Sequence, residues 1–358
     1  VDEFIWAMMA ALLSAALWIN LATWVGAPVS TTHSIVGGVM GAGIAAAGFS
    51  AVNWMTMSKI AASWVISPVL GGVIAALFLW LIKSRIIYQP DKIAAARRWV
   101  PILIAIMSGA FASYLALKGI KKIIKIDIQT AIIIGFLIGV ATWAITKPII
   151  AKQSVGMENR NKSLKQLFNI PLIVSAALLS FAHGANDVAN AVGPLAAIVQ
   201  ASSSGEYITA ISIPLWVMVI GAAGISFGLF LFGPKLVRVV GSQITKLNQM
   251  RAYCVALSAA ITVIVASWLG LPVSSTHIAV GSVFGVGFFR EWDSARRMKL
   301  AKLSSDKNQL VVAKEERARR KLVRRSHFMS IIAAWIITVP SAAVISGVIY
   351  SVILFSAG

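Results

Sequence analysis

The chain has 358 residues, 58% hydrophobic and 12% charged, with a mean hydropathy of +0.84. A soluble domain carries about 25% charged residues, so the composition excludes one and describes an all-α, polytopic membrane protein. The net charge of +20 does not indicate a nucleic-acid partner, because the Lys and Arg fall between apolar runs, as the positive-inside rule predicts.

In chain order the apolar pattern predicts ten spans: 5–25, 28–48, 58–82, 99–117, 127–147, 170–200, 210–232, 251–270, 272–289 and 329–357. The second and ninth are Gly-rich and open with Pro, and they fit full helices or re-entrant half-helices equally well. Val1-Asp2-Glu3 leads straight into the first span, with no signal peptide and no initiator Met. A single cysteine, Cys254, excludes a disulfide framework within the chain and a Cys-based metal site.

The connections carry the orientation. Lys83, Arg85, Lys92, Arg97 and Arg98 lie between spans three and four, and Lys147, Lys152, Arg160, Lys162 and Lys165 between five and six. Lys235, Arg238, Lys246 and Arg251 precede span eight, and 290–325 is the longest and most basic polar stretch. With these segments cytoplasmic, both chain ends lie outside, as do the connections 48–57 and 201–207, which lack Lys and Arg. The basic run Lys118 to Lys125 then also falls outside, against the rule.

The chain repeats itself. Trp24-Val25-Gly26-Ala27-Pro28-Val29-Ser30-Thr31-Thr32-His33 matches Trp268-Leu269-Gly270-Leu271-Pro272-Val273-Ser274-Ser275-Thr276-His277 at a constant offset, 272 − 28 = 244. The match runs on through Gly37, Gly41 and Gly43 onto Gly281, Gly285 and Gly287, and Trp64-Val65-Ile66-Ser67 resembles Trp335-Ile336-Ile337-Thr338. A neutral connection follows the first copy and the basic loop follows the second, so the copies should have inverted topology, the architecture of many secondary transporters. The expected division is a first repeat 1–82, connecting spans with a cytoplasmic loop 83–165, and a second repeat 166–358 with its basic loop 290–325.

Within 170–200 lies Phe181-Ala182-His183-Gly184-Ala185-Asn186-Asp187-Val188-Ala189-Asn190-Ala191, and Asp187 is the sole carboxylate in the core of any predicted span. A carboxylate at that depth costs at least about 2.5–3.5 kcal/mol, which marks a functional site. Asn186 adjoins it and Asn190 shares its helix face. Oxygen ligands without thiolates or paired histidines suit a hard cation. Gly184 would let a backbone approach or the helix unwind. The element precedes Pro272 by 85 residues, whereas 27 residues precede Pro28, so its first-half counterpart would fall before Val1: either that copy never existed or the chain lacks roughly 60–80 N-terminal residues.

In the duplicated motif, Pro suits a helix's first turn and the hydroxyls suit capping. A helix start offers free N–H groups and the positive dipole end, and successive hydroxyls add donors for a tetrahedral oxyanion. No span carries Arg or Lys at its middle, so an anion held there would rely on these groups and on a bound cation, a physical reason for symport. His33, His277 and His183 are read as hydrogen-bonding helix residues rather than a proton relay, the glycines as close-packing positions, and Trp24 and Trp268 as core or interface anchors. A Ser/His/Asp hydrolase is disfavoured, since the motif lacks a nucleophile elbow, so the chain is expected not to be an enzyme.

The Gly184-Ala185-Asn186-Asp187-Val188-Ala189-Asn190-Ala191 segment and the two Pro-Val-Ser-(Thr/Ser)-Thr-His motifs resemble the inorganic phosphate transporter (PiT) family, over essentially the whole chain. The resemblance implies an inverted-repeat cell-membrane transporter of about twelve spans, outside termini, usually a homodimer, and no cofactor. It implies that Asn186, Asp187 and Asn190 are cation ligands or their neighbours, with sodium at Asp187, and that Ser30, Thr31, Thr32, Ser274, Ser275 and Thr276 bind phosphate. The continuation Ala191-Val192-Gly193-Pro194-Leu195-Ala196 is nearer the sodium-coupled branch. The alternatives are a proton-coupled metal-phosphate symporter, a sulfate permease and, from another class, an anion channel.

Overall fold

The computed structural model describes residues 1–27, 29–118, 127–205, 213–238, 247–303 and 325–357. Among them there are helices and no strand: α1 (Asp2–Val25), α2 (Thr31–Ala47), α3 (Trp54–Ile82), α4 (Lys92–Lys118), α5 (Ile128–Gln153), α6 (Asn161–Leu167), α7 (Asn169–Ser204), α8 (Leu215–Arg238), α9 (Gln249–Trp268), α10 (Ser275–Leu303) and α11 (Arg325–Ala357). A chain in hydrocarbon must satisfy its backbone within each segment, which helices do. Eight of these helices (α1, α3, α4, α5, α7, α8, α9 and α11) are long and apolar enough to cross a membrane. Their flanks carry large exposed apolar side chains, such as Phe136 and Leu137 on α5 and Phe227 and Phe230 on α8; lipid rather than water suits such surfaces.

The other two expected spans, 28–48 and 272–289, became the short helix α2 and the apolar first half of α10. The 17 residues of α2 reach only about 25 Å. Past Phe289, α10 stays helical to Leu303 instead of ending with its apolar run, because charge ends a membrane span but not a helix. The stretch 290–325 is thus in part helix; residues 304–324 of it, and all of the Lys118 to Lys125 run except Lys118, lie outside the described residues.

The two motif copies exchange partners. The helix after the first copy, α3, packs on α10, and the helix after the second, α11, packs on α2. Glycine makes both approaches possible. A methyl on Gly37 would lie 2.7 Å from the Val339 carbonyl oxygen, and one on Gly41 would run into the Ala343 carbonyl. At the equivalent positions, Gly281 and Gly285 would meet the carbonyls of Pro68 and Gly72. The close-packing reading of these glycines therefore describes them well.

The apolar core divides accordingly. A large cluster including Leu79, Leu103, Phe168, Tyr253 and Phe284 joins α3, α4, α7, α9 and α10; a smaller one including Met8, Ala42, Ala197 and Tyr350 joins α1, α2, α7 and α11. Helix α7 contributes to both. At the charged end of α10, Lys83 and Asp293 form a buried ion pair with N···O 2.6 Å, and the Tyr88 hydroxyl donates to the same carboxylate at 2.6 Å. Burial alone would raise the Asp293 carboxyl, but the hydrogen bonds from Lys83 and Tyr88 and the charges of Lys83 and Arg297 prevail and hold it below its ordinary value.

Candidate functional site

Each motif copy starts a helix in the same way. Ser30 is extended (φ −95°, ψ 127°) and its Oγ accepts the His33 amide at 3.2 Å; Ser274 Oγ accepts the His277 amide at 3.2 Å. These are N-caps, which fix where α2 and α10 begin. Proline is therefore not in the first turn of α10: Pro272 lies upstream of the cap, and its carbonyl accepts the Trp64 indole N–H at 3.0 Å. Pro28 is outside the described residues.

The two helix starts meet α7 at Asp187, which is 6% exposed. Thr31 Oγ1 donates to Asp187 Oδ2 at 3.1 Å, and Ser275 Oγ donates to Oδ1 at 3.1 Å. Residues 31 and 275 are equivalent in the repeat, so each copy serves one carboxylate oxygen. Asn186 Nδ2 adds 3.0 Å to Oδ1 and His183 Nε2 lies 2.9 Å from Oδ2. A second layer adjoins the first. Asn186 Nδ2 and Thr32 Oγ1 both donate to the Val273 carbonyl at 3.1 Å, and Asn190 Nδ2 donates to Thr32 Oγ1 at 3.1 Å. Of the nine residues singled out in the sequence, eight thus take part in this junction, Ser30 and Ser274 as caps. Thr276 is half-buried at the start of α10 and bonds to no described residue.

The arrangement gathers oxygens. With their NH₂ groups engaged, Asn186 and Asn190 keep amide oxygens to offer, and a hydroxyl can turn a lone pair outward in place of its hydrogen. Among the described residues no three His, Cys, Asp or Glu side chains gather as a metal site; the junction offers one carboxylate with amide and hydroxyl oxygens around it, and the His183 nitrogen beside them. Beside it, the starts of α2 and α10 supply two positive dipole ends. A cavity of about 750 Å³ opens between α1, α2, the start of α3 and α7; Ile35 and Gly193 on its wall lie about one turn from Thr31 and Asn190.

Several sequence readings change here. The rings of His33 and His277 find no hydrogen-bond partner among the described residues. They meet edge to face at 4.3 Å between centroids, and each lies on a tryptophan, His33 on Trp64 at 3.8 Å and His277 on Trp335 at 3.9 Å. They are packing residues of the junction, not hydrogen-bonding ones. Helix α7 runs unbroken through Gly184, where an added methyl would meet nothing within 4 Å, so this glycine admits no neighbour and unwinds no turn. Trp24 and Trp268 are 79% and 50% exposed, which rules out the core reading. His183, Val273 and the two tryptophans belong to the junction without having been predicted for it. The i, i+4 spacing of His183 and Asp187 was a usable signal, and so was the Trp64/Trp335 repeat. A backbone carbonyl such as that of Val273 leaves no trace in a motif.

The chain is similar to known proteins along nearly its whole length. A family model described as the phosphate transporter family matches residues 1–346. A Helicobacter pylori protein named "Putative phosphate permease" is 46% identical, over 97% of this chain and 75% of its own length. A Pyrococcus furiosus protein of the same description is 33% identical, over 100% of this chain and 79% of its own. Among solved structures, one titled as the sodium-dependent phosphate transporter superposes with a TM-score of 0.85 at 33% identity, over 99% of this chain and 80% of that one.

Proposed function

Because the chain belongs to the phosphate transporter family, we propose that it takes up inorganic phosphate by symport with a cation, and that the cation is sodium. It is a multi-pass membrane transporter and not an enzyme. The observation that carries the coupling is the double hold on Asp187, one oxygen by Thr31 and the other by Ser275. A buried carboxylate attracts a cation, and the bound cation lowers the cost of bringing an oxyanion to the adjacent helix starts. In this reading Asp187, Asn186 and Asn190 supply oxygens to sodium. Ser30 and Ser274 accept an amide yet keep their own hydrogens to donate to phosphate. Thr31, Ser275 and Thr276 add hydroxyls between the two ions, while Thr32, whose hydrogen goes to the Val273 carbonyl, holds Asn190 in place. The inversion of the two copies across the membrane belongs to the same proposal, as does access to the site through the cavity beside α2.

The test is phosphate uptake into proteoliposomes. Accumulation against a gradient when sodium is high outside, and its loss with potassium in place of sodium, is the expected result. Equilibration without accumulation under every cation gradient would mean a passive channel. His183, 2.9 Å from Asp187, favours one second reading, a proton as coupling ion. Accumulation driven by a pH gradient in sodium-free buffer would establish that one instead.

A further inference from the structure

A polar cavity lies away from this site, where the basic turn after α3 meets the start of α4. It measures about 500 Å³ and is lined by Arg85, Gln89, Pro90, Asp91, Arg98 and Trp99, with Ala94 and Ala95. Its walls are fixed from several sides. Gln89 Nε2 donates to the Ser84 carbonyl at 2.8 Å, and Asp91 Oδ1 caps α4 by accepting the Ala94 amide at 2.9 Å. Asn159, from the connection between α5 and α6, donates to the Pro90 carbonyl at 2.7 Å and accepts the Lys92 amide at 2.9 Å.

The arginines of this region differ in their commitments. Arg97 is spent on structure: its Nε donates to Ser154 Oγ at 2.6 Å and its Nη2 to the Ser154 carbonyl at 3.3 Å. Arg98, the next residue, is exposed and bonds to no described residue. Arg85 lays its guanidinium over the Trp99 ring at 5.6 Å, a contact that uses the face of the group and leaves its in-plane N–H donors for a ligand. Neither pairs with Asp91 within ion-pair distance, and that carboxylate is already engaged at the start of α4. Two fork-shaped donors facing one cavity match the oxygens of a phosphate group.

The position selects the bearer of that phosphate. Both helices change from charged to apolar at this level. Going away from the pocket, Arg85 stands in a π-helical turn, Lys83–Ile87, that continues α3, and the last turns of α3 before it carry half-buried Leu81 and exposed Leu77. On α4, Trp99 is followed by half-buried Ile102 and exposed Ile106, at i+3 and i+7. An amphiphile with its phosphate between Arg85 and Arg98 would lay acyl chains along those residues, an apolar surface that free phosphate has no use for. Basic pockets between membrane helices hold anionic headgroups in this way. We propose that this pocket is a phosphate-group site occupied by the headgroup of an anionic phospholipid, distinct from the Asp187 junction.

The experiment is native mass spectrometry of the whole chain, with phosphatidylglycerol and phosphatidylcholine offered in equal amounts. The intact protein should retain phosphatidylglycerol preferentially. Arg85→Gln with Arg98→Gln should lower that preference by about tenfold, from the loss of two charge-assisted contacts. Arg98→Gln alone, at an exposed residue with no described bond to break, should lower it by about threefold and guards against misfolding of the double variant. Lys59→Gln, at an exposed position near the opposite end of α3, should leave it unchanged. Inorganic phosphate is the second arm: displacement of the lipid by millimolar phosphate, but not by chloride at equal ionic strength, would assign the pocket to the free anion instead of the headgroup. Equal retention of both lipids, or a preference that Lys59→Gln reduces as much as Arg98→Gln does, overturns the proposal.

Discussion

The two copies of the Pro-Val-Ser-x-Thr-His motif build the same frame but not the same site. In both, a serine caps the helix, the next hydroxyl reaches Asp187, and a histidine lies on a tryptophan. In both, two glycines bring the helix against the other copy's partner. One residue further on the likeness stops. Thr32 is fixed between the Val273 carbonyl and Asn190, while its equivalent, Thr276, bonds to no described residue. Helix α7 is the cause: it presents Asn186, Asp187 and Asn190 on one side of the junction. The duplication supplies a symmetric scaffold of helix starts, and one helix brings in the charge.

The largest effect should come from breaking the shared element. Asp187→Asn is nearly isosteric and removes a buried charge, so the folded protein should survive it. The cation, however, loses its only anionic ligand. Leaving a buried charge without its partner costs about 3–5 kcal/mol, so sodium-driven phosphate uptake in proteoliposomes should fall by two orders of magnitude or more, with apparent sodium affinity falling more than phosphate affinity. Uptake and sodium dependence that both survive the substitution would make Asp187 a structural residue and remove the basis for the coupling.

The scaffold should break symmetrically. Gly41→Ala and Gly285→Ala each drive a methyl into a backbone carbonyl that cannot rotate away. Overpacking of this kind costs about 1–3 kcal/mol, and the two variants should lower the unfolding temperature in detergent by similar amounts. Gly184→Ala is the contrast. Nothing stands within 4 Å of the added methyl, and alanine favours helix over glycine by about 1 kcal/mol, so this variant should be as stable as the parent or more so. Destabilisation by Gly184→Ala would mean that α7 opens at that glycine in a second conformation.

Much of this scaffold was legible in the sequence because repetition is a strong signal. The 244-residue offset located both helix starts, the glycines that pack them and the tryptophans beyond. Asp187 stood out because a lone acid in an apolar run has few uses. What the sequence withheld has physical causes. Which helix packs on which is decided by long-range contacts, so the exchange of α3 and α11 between copies was invisible. The end of α10 was misplaced because hydropathy reports the membrane boundary rather than the backbone conformation. His33 and His277 were read by their polar atoms, whereas their ring faces are what the fold uses. Gly184 was read, from its place beside Asp187, as admitting a backbone or letting the helix unwind, although a glycine there packs nothing unless a neighbour approaches.

The hydroxyls on Asp187 test whether the copies contribute equally. Thr31→Val and Ser275→Ala each remove one donor from an ionised acceptor at the same distance, 3.1 Å. A hydrogen bond to a charged group is worth about 1.5–3 kcal/mol, so each should cut uptake by about tenfold or more, and the two losses should agree within a factor of about three. A variant that loses far more than its equivalent would show that one copy governs the carboxylate and the other only approaches it.

The smallest effect should come where the copies part. Thr32 is committed to its neighbours, so Thr32→Val strands the Asn190 amide and leaves the Val273 carbonyl with Asn186 alone. Its cost should appear as lost stability and a lower maximal rate. Thr276 is committed to nothing described, and in the proposed function its hydroxyl meets phosphate. Thr276→Val should therefore raise the half-saturating phosphate concentration by about fivefold, the value of one hydrogen bond of about 1 kcal/mol. It should leave the sodium dependence and the unfolding temperature where they were. The pair of measurements separates frame from site at equivalent positions, one a change in stability and the other a change in substrate affinity. If Thr276→Val instead destabilised the protein as Thr32→Val does, both threonines would belong to the frame. The anion would then have to be held by Ser30, Ser274 and the amides at the helix starts, without help from the third hydroxyl of the second copy.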